Sequence, residues 1–397
     1  MPDTDLLGQI FAAGPGGLSP QALAVGYDGS RSTLNRRLAQ MLKDGRLKAM
    51  GAGRTTRYAS TTAFTREAID VFFSRSWQER PVALFDESLL SPTINIDIER
   101  ANRLTQIQAL AQPIDKRFLA RFLVDFAWGS SVLEGSTYSA LDTEALIQYG
   151  QKNNAKPTED AVLALNHKQA GEFLWTHQEL NTANVLEMHA LLTDDHDISE
   201  VADSDHFLKA HQRGKPREYD EVNLGASAYM PPFRPGTGFV AQAFTSIINT
   251  ANTLHPVQAA LYLMTRIPYL QAFANGNKRT SRIAANAPLL AHGLLPMSFV
   301  DTNKADYIRG MAAFYELGSL HVIEQNFIQS YAKSVVRSSN IPRHLRATGF
   351  DLNTTASGLC EFVNTGRRPN EPELQIFLAF PAAPDAKEDD PTPQPSP

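Results

Sequence analysis

Residues 271–286 read QAFANGNKRTSRIAAN and follow the apolar helical stretch PVQAALYLMTRIPYL at 256–270. Gly276 can adopt a left-handed backbone conformation, so the segment predicts a tight turn that leads directly into a helix. The free N–H groups and the positive dipole end of such a helix form an anion site. Arg279 and Arg282 share a helical face, so we expect both guanidinium groups to point toward one phosphate chain. The alternative is a capped helix with solvated arginines.

The sequence around this segment indicates a mainly α-helical domain. Apolar residues recur at three- and four-residue spacings through much of 66–380, for example in FLARFLVDFAW and VAQAFTSIINTAN. Proline and glycine residues interrupt this pattern at 224–236, which predicts a loop or a short hairpin between two helices. Residues 381–397 are rich in proline and acidic side chains and lack apolar periodicity. They therefore predict a disordered tail.

The first 60 residues differ from the rest in charge and in pattern. They carry an excess of four positive charges, whereas the whole chain of 397 residues has a net charge of -5. A short amphipathic helix is predicted at 5–14, and Ser30 is a favourable N-cap for a helix at 31–45. Residues 46–60 alternate around glycines, as a β-hairpin does. This order predicts a winged helix-turn-helix whose helix at 31–45 enters the major groove of DNA.

One face of that helix is apolar and the opposite face is polar and basic. The predicted inward stripe is Leu34, Leu38 and Met41. Polar and basic side chains of the other face suit base edges and phosphates, and basic side chains of the hairpin suit the minor groove or the backbone. The candidate DNA-binding residues are Arg31, Ser32, Asn35, Arg36, Arg54 and Arg57. Residues 18–58 resemble the winged-helix domains of bacterial transcription regulators. The alternative is a winged helix that binds protein and has a solvated basic face.

A second resemblance concerns the motif at 271–282. It is similar to the signature of the Fic domain family, HxFx(D/E)GNxxRxxR, whose members transfer AMP or related groups from a nucleotide to a protein hydroxyl. NLGASAYMPP at 223–232 resembles the family's flap, which holds a target segment beside the nucleotide. SSVLEG at 130–135 resembles its (S/T)xxxE(G/N) inhibitory helix, and LHPVQAA at 254–260 resembles the helix before the signature. The resemblance implies an all-helical core with a small β-hairpin flap.

The same resemblance implies roles for individual residues. The implied ligands of ATP or a related nucleotide are Gly276, Asn277, Lys278, Arg279 and Arg282; the inhibitory positions are Ser130, Glu134 and Gly135; and the flap positions are Gly225, Ser227 and Tyr229. Arg282 would hold the terminal phosphate, and it would pair with Glu134 when the inhibitory helix is closed. The alternative for Glu134 is an ion pair between helices without a regulatory role.

Two positions depart from the family signature where its chemistry occurs. Gln271 stands in place of the family's catalytic histidine, and an amide cannot act as a general base near neutral pH. Asn275 stands in place of the family's Mg²⁺-binding carboxylate and is a poorer ligand for a hard cation. Because His255 lies far from Gln271 along a helix, it is not expected to replace the base. The acidic, histidine-containing stretch at 193–211 has no fixed ligand spacing, so no metal site is predicted.

These patterns divide the chain into five predicted regions. They are a winged helix-turn-helix at 1–62, a helical linker at 63–114, a Fic domain at 115–340, a C-terminal extension at 341–380 and a tail at 381–397. Cys360 is the only cysteine, which excludes an internal disulfide and fits a reducing compartment. The sequence starts without a signal-peptide pattern and has no long apolar stretch, so a cytoplasmic protein without membrane contact is expected.

Three functional hypotheses follow. The first is a DNA-binding regulator whose degenerate Fic domain binds a nucleotide or a partner segment with little or no transfer. The second is a protein adenylyltransferase that is slow or uses a different base and is inhibited by Glu134. The third is an antitoxin-like or scaffold role in which the flap binds an edge strand of another protein. DNA and a segment docked on the flap are the expected partners, and a homodimer is expected by analogy with winged-helix regulators.

Overall fold

The computed structural model describes residues 6, 9–10, 13, 16–25, 27–43, 47–60, 65–218, 222, 224–225, 227–347 and 350–378. Most of the helix predicted at 5–14 lies outside these ranges, and so does the tail predicted at 381–397. The described part of the chain is mainly α-helical, as the sequence predicts. No helix within it is long and apolar enough to cross a membrane.

The N-terminal elements are two helices and an antiparallel strand pair. They are α1 (Pro20–Ala24), α2 (Arg31–Lys43), β1 (Leu47–Met50) and β2 (Arg57–Ser60). Ser30 Oγ accepts a hydrogen bond of 3.1 Å from the N–H of Thr33, so it caps α2 as expected. The predicted stripe of α2 is buried with Leu6, Ile10, Leu23 and Leu47 in a cluster of its own. Helix α2 therefore lies within the predicted range 31–45, and β1 and β2 lie within 46–60. The winged helix-turn-helix and its use in DNA binding remain predictions.

The remaining elements form the helical body. In chain order they are α3 (Arg66–Phe73), β3 (Ala83–Leu84), α4 (Ile98–Gln106), α5 (Lys116–Leu133), α6 (Ala140–Tyr149), α7 (Thr158–Thr176), α8 (Thr182–Leu192), β4 (Tyr229–Met230), α9 (Phe239–Ala251), α10 (Pro256–Leu270), α11 (Asn277–Ala284), α12 (Asn286–Ala291), α13 (Lys304–Leu317), α14 (His321–Arg337), α15 (Arg343–Ala347), α16 (Leu352–Thr365) and α17 (Pro372–Gln375). Helix α10 is buried along almost its whole length and packs against α9, α11 and α12.

One large hydrophobic cluster runs through this body. It includes side chains of α5, α8, α9, α10, α13 and α14, and also Leu359 and Phe362 of α16 and the later residue Phe377. The described part of the predicted C-terminal extension therefore packs on the same core. Helix α11 lies against α8 and α10, and its arginines Arg279 and Arg282 are fully buried. Helix α11 has a polar sequence, but it is packed inside the core.

Of the loop or short hairpin that the sequence predicts at 224–236, the described residues form a loop with one short strand. Among the described residues it contributes the single short strand β4, which pairs in parallel with β3. The N–H of Ala83 donates to the carbonyl of Ala228 at 2.9 Å, and the N–H of Phe85 donates to that of Met230 at 3.1 Å. Because Pro231 and the next residue, also proline, have no N–H, the chain cannot continue the ladder beyond Met230. The partner strand therefore comes from a distant part of the chain.

Candidate nucleotide site

The turn between α10 and α11 is built on two residues with left-handed backbone conformations. Gln271 has φ 49° and Gly276 has φ 77°. A Cβ atom on Gly276 would lie 2.7 Å from Thr193 Cγ2 and 3.3 Å from His189 Cδ2. Glycine is therefore required at this position both for its conformation and for space. The turn ends where α11 begins, so the N–H groups of the first turn of α11 lie where the sequence predicts an anion site.

A cavity of about 580 Å³ opens beside this turn. Its lining residues come from five parts of the chain: Glu134, Ser204, Asp205, His206, Phe207, Leu208, Leu224, Gly225, Gln271, Ala274, Asn275, Gly276, Asn277, Lys278 and Tyr315. The volume falls in the range of ordinary small-molecule sites. Lys278 is exposed and lines the cavity, so its ammonium group is available to an anionic ligand. The cavity brings together the predicted turn, the end of the inhibitory helix and part of the flap.

The side chain of Gln271 is fully engaged in local hydrogen bonds. Its Nε2 donates to the carbonyl of Pro268 at 2.6 Å, and its Oε1 accepts from Asn277 Nδ2 at 2.9 Å. Its backbone carbonyl accepts from Arg217 Nε at 2.6 Å. Gln271 therefore stabilises the turn between α10 and α11, and each of its two amide atoms makes a hydrogen bond within that turn.

Asn275 is also occupied on both side-chain atoms. Its Nδ2 donates to the carbonyl of Asp205, and its Oδ1 accepts from the N–H of Gly276. No group of three or more His, Cys, Asp or Glu side chains suited to a metal ion occurs among the described residues. The residues present at this position therefore do not fit the magnesium carboxylate of the family signature.

His189 contacts and stabilises the turn between α10 and α11, a role that the sequence did not predict. Its Nε2 lies 3.0 Å from the carbonyl of Asn275, and its Nδ1 accepts from the N–H of Gly214 at 2.9 Å. The ring stacks on Phe273 with 3.7 Å between centroids. Burial lowers the pKa of His189 to about 3, so the ring is neutral and Nε2 carries the proton that is donated to Asn275.

Arg282 and Glu134 form a buried ion pair at the end of α5. Arg282 Nη2 lies 2.6 Å from Glu134 Oε1, and the arginine side chain is fully buried. Arg282 Nε also donates to Ser130 Oγ at 2.8 Å, and Nη1 donates to Tyr307 Oη at 3.3 Å. This is the pairing that the resemblance implies for a closed inhibitory helix, and Gly135 follows it with φ 107°.

The ion pair keeps Glu134 charged in a buried place. Burial alone would raise the pKa of Glu134, but the positive charges of Arg282, Lys278 and Arg279 hold it below its usual range. The pKa of Arg282 is raised in turn, because Glu134 outweighs the opposing effect of burial. The pair is therefore ionised throughout the neutral range, and Arg282 donates hydrogen bonds to Ser130, Glu134 and Tyr307.

Arg279 is placed differently from the expectation that both arginines point toward one phosphate chain. Its Nη1 donates to the carbonyl of Leu192 at 2.8 Å and its Nη2 donates to that of His206 at 2.5 Å. Its buried Nε has no hydrogen-bond partner among the described residues. The reason for the difference is that the chain after α8 lies against Arg279, whereas α5 lies against Arg282. Arg279 thus holds the cavity wall.

The flap is fixed by groups that lie far from it in the sequence. Glu316 Oε1 accepts from Ser227 Oγ at 3.0 Å and from the N–H of Ala228 at 3.1 Å. Glu316 is itself paired with Arg80 at 2.7 Å, and both side chains are buried. Tyr229 Oη donates to the carbonyl of Tyr269 at 2.6 Å, which turns this flap residue inward. Gly225 has φ 64° and lines the cavity.

The candidate DNA-binding residues are exposed, and one of them also has a structural role. Arg31, Ser32, Asn35, Arg36 and Arg54 are exposed. Arg57 is exposed as a residue, but its Nε donates to the carbonyl of Gly16 at 2.8 Å and its Nη2 donates to that of Gly17 at 3.0 Å. These bonds tie β2 to the segment before α1. Arg57 therefore has a structural role that its position in the hairpin did not predict.

Comparison with known proteins finds a family match within the helical body. The model of the Fic/DOC family matches residues 179–289. The "Protein adenylyltransferase Fic" of Nematostella vectensis is 23% identical over 218 residues, which are 53% of this chain and 47% of the relative. The chain thus spans about half the length of that curated relative.

Solved structures of Fic proteins are also similar. Fic-1 (aa134 - 508) from C. elegans has 19% sequence identity and a TM-score of 0.44, covering 60% of this chain and 68% of that one. A Fic family protein from Desulfovibrio desulfuricans G20 has 17% identity and a TM-score of 0.47, covering 69% of this chain and 89% of that one. The segment that matches the Fic/DOC family model contains helices α8 to α11, so this part of the chain is similar to a Fic domain.

Proposed function

We propose that this protein is a DNA-binding regulator whose Fic domain binds ATP or a related nucleotide with little or no AMP transfer. The observation that carries the proposal is the state of Gln271, whose two amide atoms are both engaged within the turn. An amide does not titrate near neutral pH, and this one already makes hydrogen bonds within the turn. The position of the family base is therefore structural here, while the anion site beside it is retained.

Nucleotide binding is supported by the groups that remain. The first turn of α11 offers unpaired N–H groups and the positive end of its dipole, and exposed Lys278 adds a full charge beside them. The cavity volume of about 580 Å³ is sufficient for a nucleotide. The family relative that is named an adenylyltransferase agrees with a nucleotide as ligand. Magnesium is not assigned to Asn275, because both of its side-chain atoms are engaged.

An active adenylyltransferase is the second candidate function. The observation that favours it is the ion pair between Glu134 and Arg282. An inhibitory contact of this kind is most useful to a protein that has an activity to inhibit. Incubation of the purified protein with labelled ATP separates the two candidates. Binding measured by calorimetry without incorporation of label supports the regulator, and rapid incorporation by the wild type supports the enzyme.

The DNA half of the proposal predicts a salt-dependent complex. We expect the full chain to shift promoter DNA with an affinity that falls steeply as salt rises, because basic side chains displace counterions from phosphates. Replacing both Arg36 and Arg54 with alanine should weaken binding by about 10-fold or more, since each lost contact costs on the order of 1 kcal/mol. Gel-shift titrations at several salt concentrations measure both effects.

Lys116→Ala serves as the control for that experiment, because it removes an exposed positive charge at the start of α5, outside the N-terminal elements. Its binding curve should stay close to that of the wild type. Binding that depends neither on salt nor on Arg36 and Arg54 would remove DNA from the proposal and favour a protein partner for the basic face.

A further inference from the structure

His206 and Glu159 form a polar pair on the wall of the nucleotide cavity, outside the family signature. His206 Nε2 lies 3.5 Å from Glu159 Oε1, and the two side chains are 28% and 35% exposed. The N–H of His206 donates to Ser204 Oγ at 3.0 Å, and Ser204 Oγ donates to Glu159 Oε1. The imidazole thus lies beside a carboxylate, while part of it stays open to the cavity that it lines.

This pair is tied directly to the anion site. Arg279 Nη2 of α11 donates to the carbonyl of His206, and Asn275 Nδ2 of the turn donates to the carbonyl of Asp205. The backbone that carries His206 is therefore bonded to both ends of the phosphate-binding segment. A phosphate chain at the start of α11 would share the cavity with the imidazole.

Burial is the main factor that favours the neutral form of the His206 imidazole. Burial and the positive charge of Arg279 lower its pKa, while Glu159 of α7, Glu134 at the end of α5 and the adjacent Asp205 act in the opposite direction. Because Glu159 lies beside Nε2, the proton is favoured on that nitrogen and the lone pair on Nδ1. A neutral imidazole oriented by a carboxylate is the usual arrangement of a general base.

We propose that His206, positioned by Glu159, is the general base for slow hydrolysis of a nucleoside triphosphate bound in this cavity. In that step the oxygen of a water molecule bonds to phosphorus and its proton passes to Nδ1 of His206. The bridging P–O bond breaks, and its electron pair stays on the leaving phosphate oxygen. The proposal rests on the nucleotide binding proposed above and adds an activity that would end the nucleotide-bound state.

The test uses the full chain with Glu134→Gly, so that Arg282 is released, and follows ATP in the presence of Mg²⁺ by chromatography of its products. His206→Asn in this background should lower hydrolysis about 100-fold, the lower end of the effect of a general base. Glu159→Gln should lower it less and should shift the acid limb of the pH profile to lower pH, because loss of the carboxylate lowers the pKa of His206. Exposed His211→Asn is the matched control and should leave hydrolysis unchanged.

Calorimetry with a non-hydrolysable ATP analogue separates this proposal from the one on which it rests. Equal affinities of the Glu134→Gly protein with and without His206→Asn, together with the loss of hydrolysis, support the assignment of His206. Analogue binding without hydrolysis above the buffer rate overturns it and leaves nucleotide binding intact, and so does hydrolysis that survives His206→Asn. Failure of the Glu134→Gly protein to bind the analogue overturns the nucleotide-binding proposal itself.

Discussion

A variant with Gln271→His, Asn275→Asp and Glu134→Gly should transfer labelled AMP to itself about 10²- to 10⁴-fold faster than the wild type. The first change supplies a titrating base, and the second supplies a carboxylate for Mg²⁺. The third frees Arg282 from its buried partner. The measurement is the rate of label incorporation from ATP in the presence of Mg²⁺.

The variant that keeps Gln271 but carries Asn275→Asp and Glu134→Gly is the control, because it isolates the contribution of the base. It should remain close to the wild-type rate of transfer. The bonds of Gln271 suggest that histidine fits here, since a ring nitrogen can accept from Asn277 Nδ2 as the amide oxygen does. If the wild type already transfers label as fast as the triple variant, the proposal of a regulator with little or no AMP transfer is wrong.

Glu134→Gly alone should tighten ATP binding by about 5- to 150-fold, which is the usual range of coupling between competing contacts. In the closed state Arg282 Nη2 is bound to Glu134 at 2.6 Å, and one guanidinium cannot satisfy a terminal phosphate in the same geometry. Calorimetric titration of both proteins measures the change. Glu134→Gln is a matched variant that keeps the shape and removes the charge, so its affinity should lie between the two.

The pKa of Glu134 determines how the stability of its ion pair with Arg282 depends on pH. Because the pKa of Glu134 is held below its ordinary value, the pair contributes stability at pH values above that ordinary value and loses it only as acid protonates the carboxylate. The difference in affinity between wild type and Glu134→Gly should therefore be constant across the neutral range. Equal affinities of the two proteins at neutral pH would show that Glu134 makes an ordinary ion pair without inhibition.

The sequence predicts those features of the molecule that are local. The cap at Ser30, the buried stripe of α2 and the turn at Gly276 each depend on neighbouring residues, and each lies where it was expected. The pairing of Glu134 with Arg282 was reached through the family motifs, because its two members are far apart in the chain.

Features that depend on distant partners could not be predicted in this way. The parallel partner of the flap, the clamp made by Glu316 and the contacts of Arg279 all join segments whose proximity only the folded chain establishes. A buried charge must find a partner, but the sequence does not identify which one. For the same reason His206 could be recognised as a candidate base only when the cavity was known.

Because β4 pairs in parallel with β3, one edge of the flap strand is already occupied by another segment of the same chain. An extended segment that paired with the same edge of β4 would have to displace residues 83–85. Because these residues belong to the same chain, their effective concentration at β4 is high, on the order of millimolar. The ladder is only two residue pairs long, so displacement is feasible for a segment that gains contacts elsewhere. A segment that docked on this edge of β4 would therefore need further contacts outside the two-residue ladder.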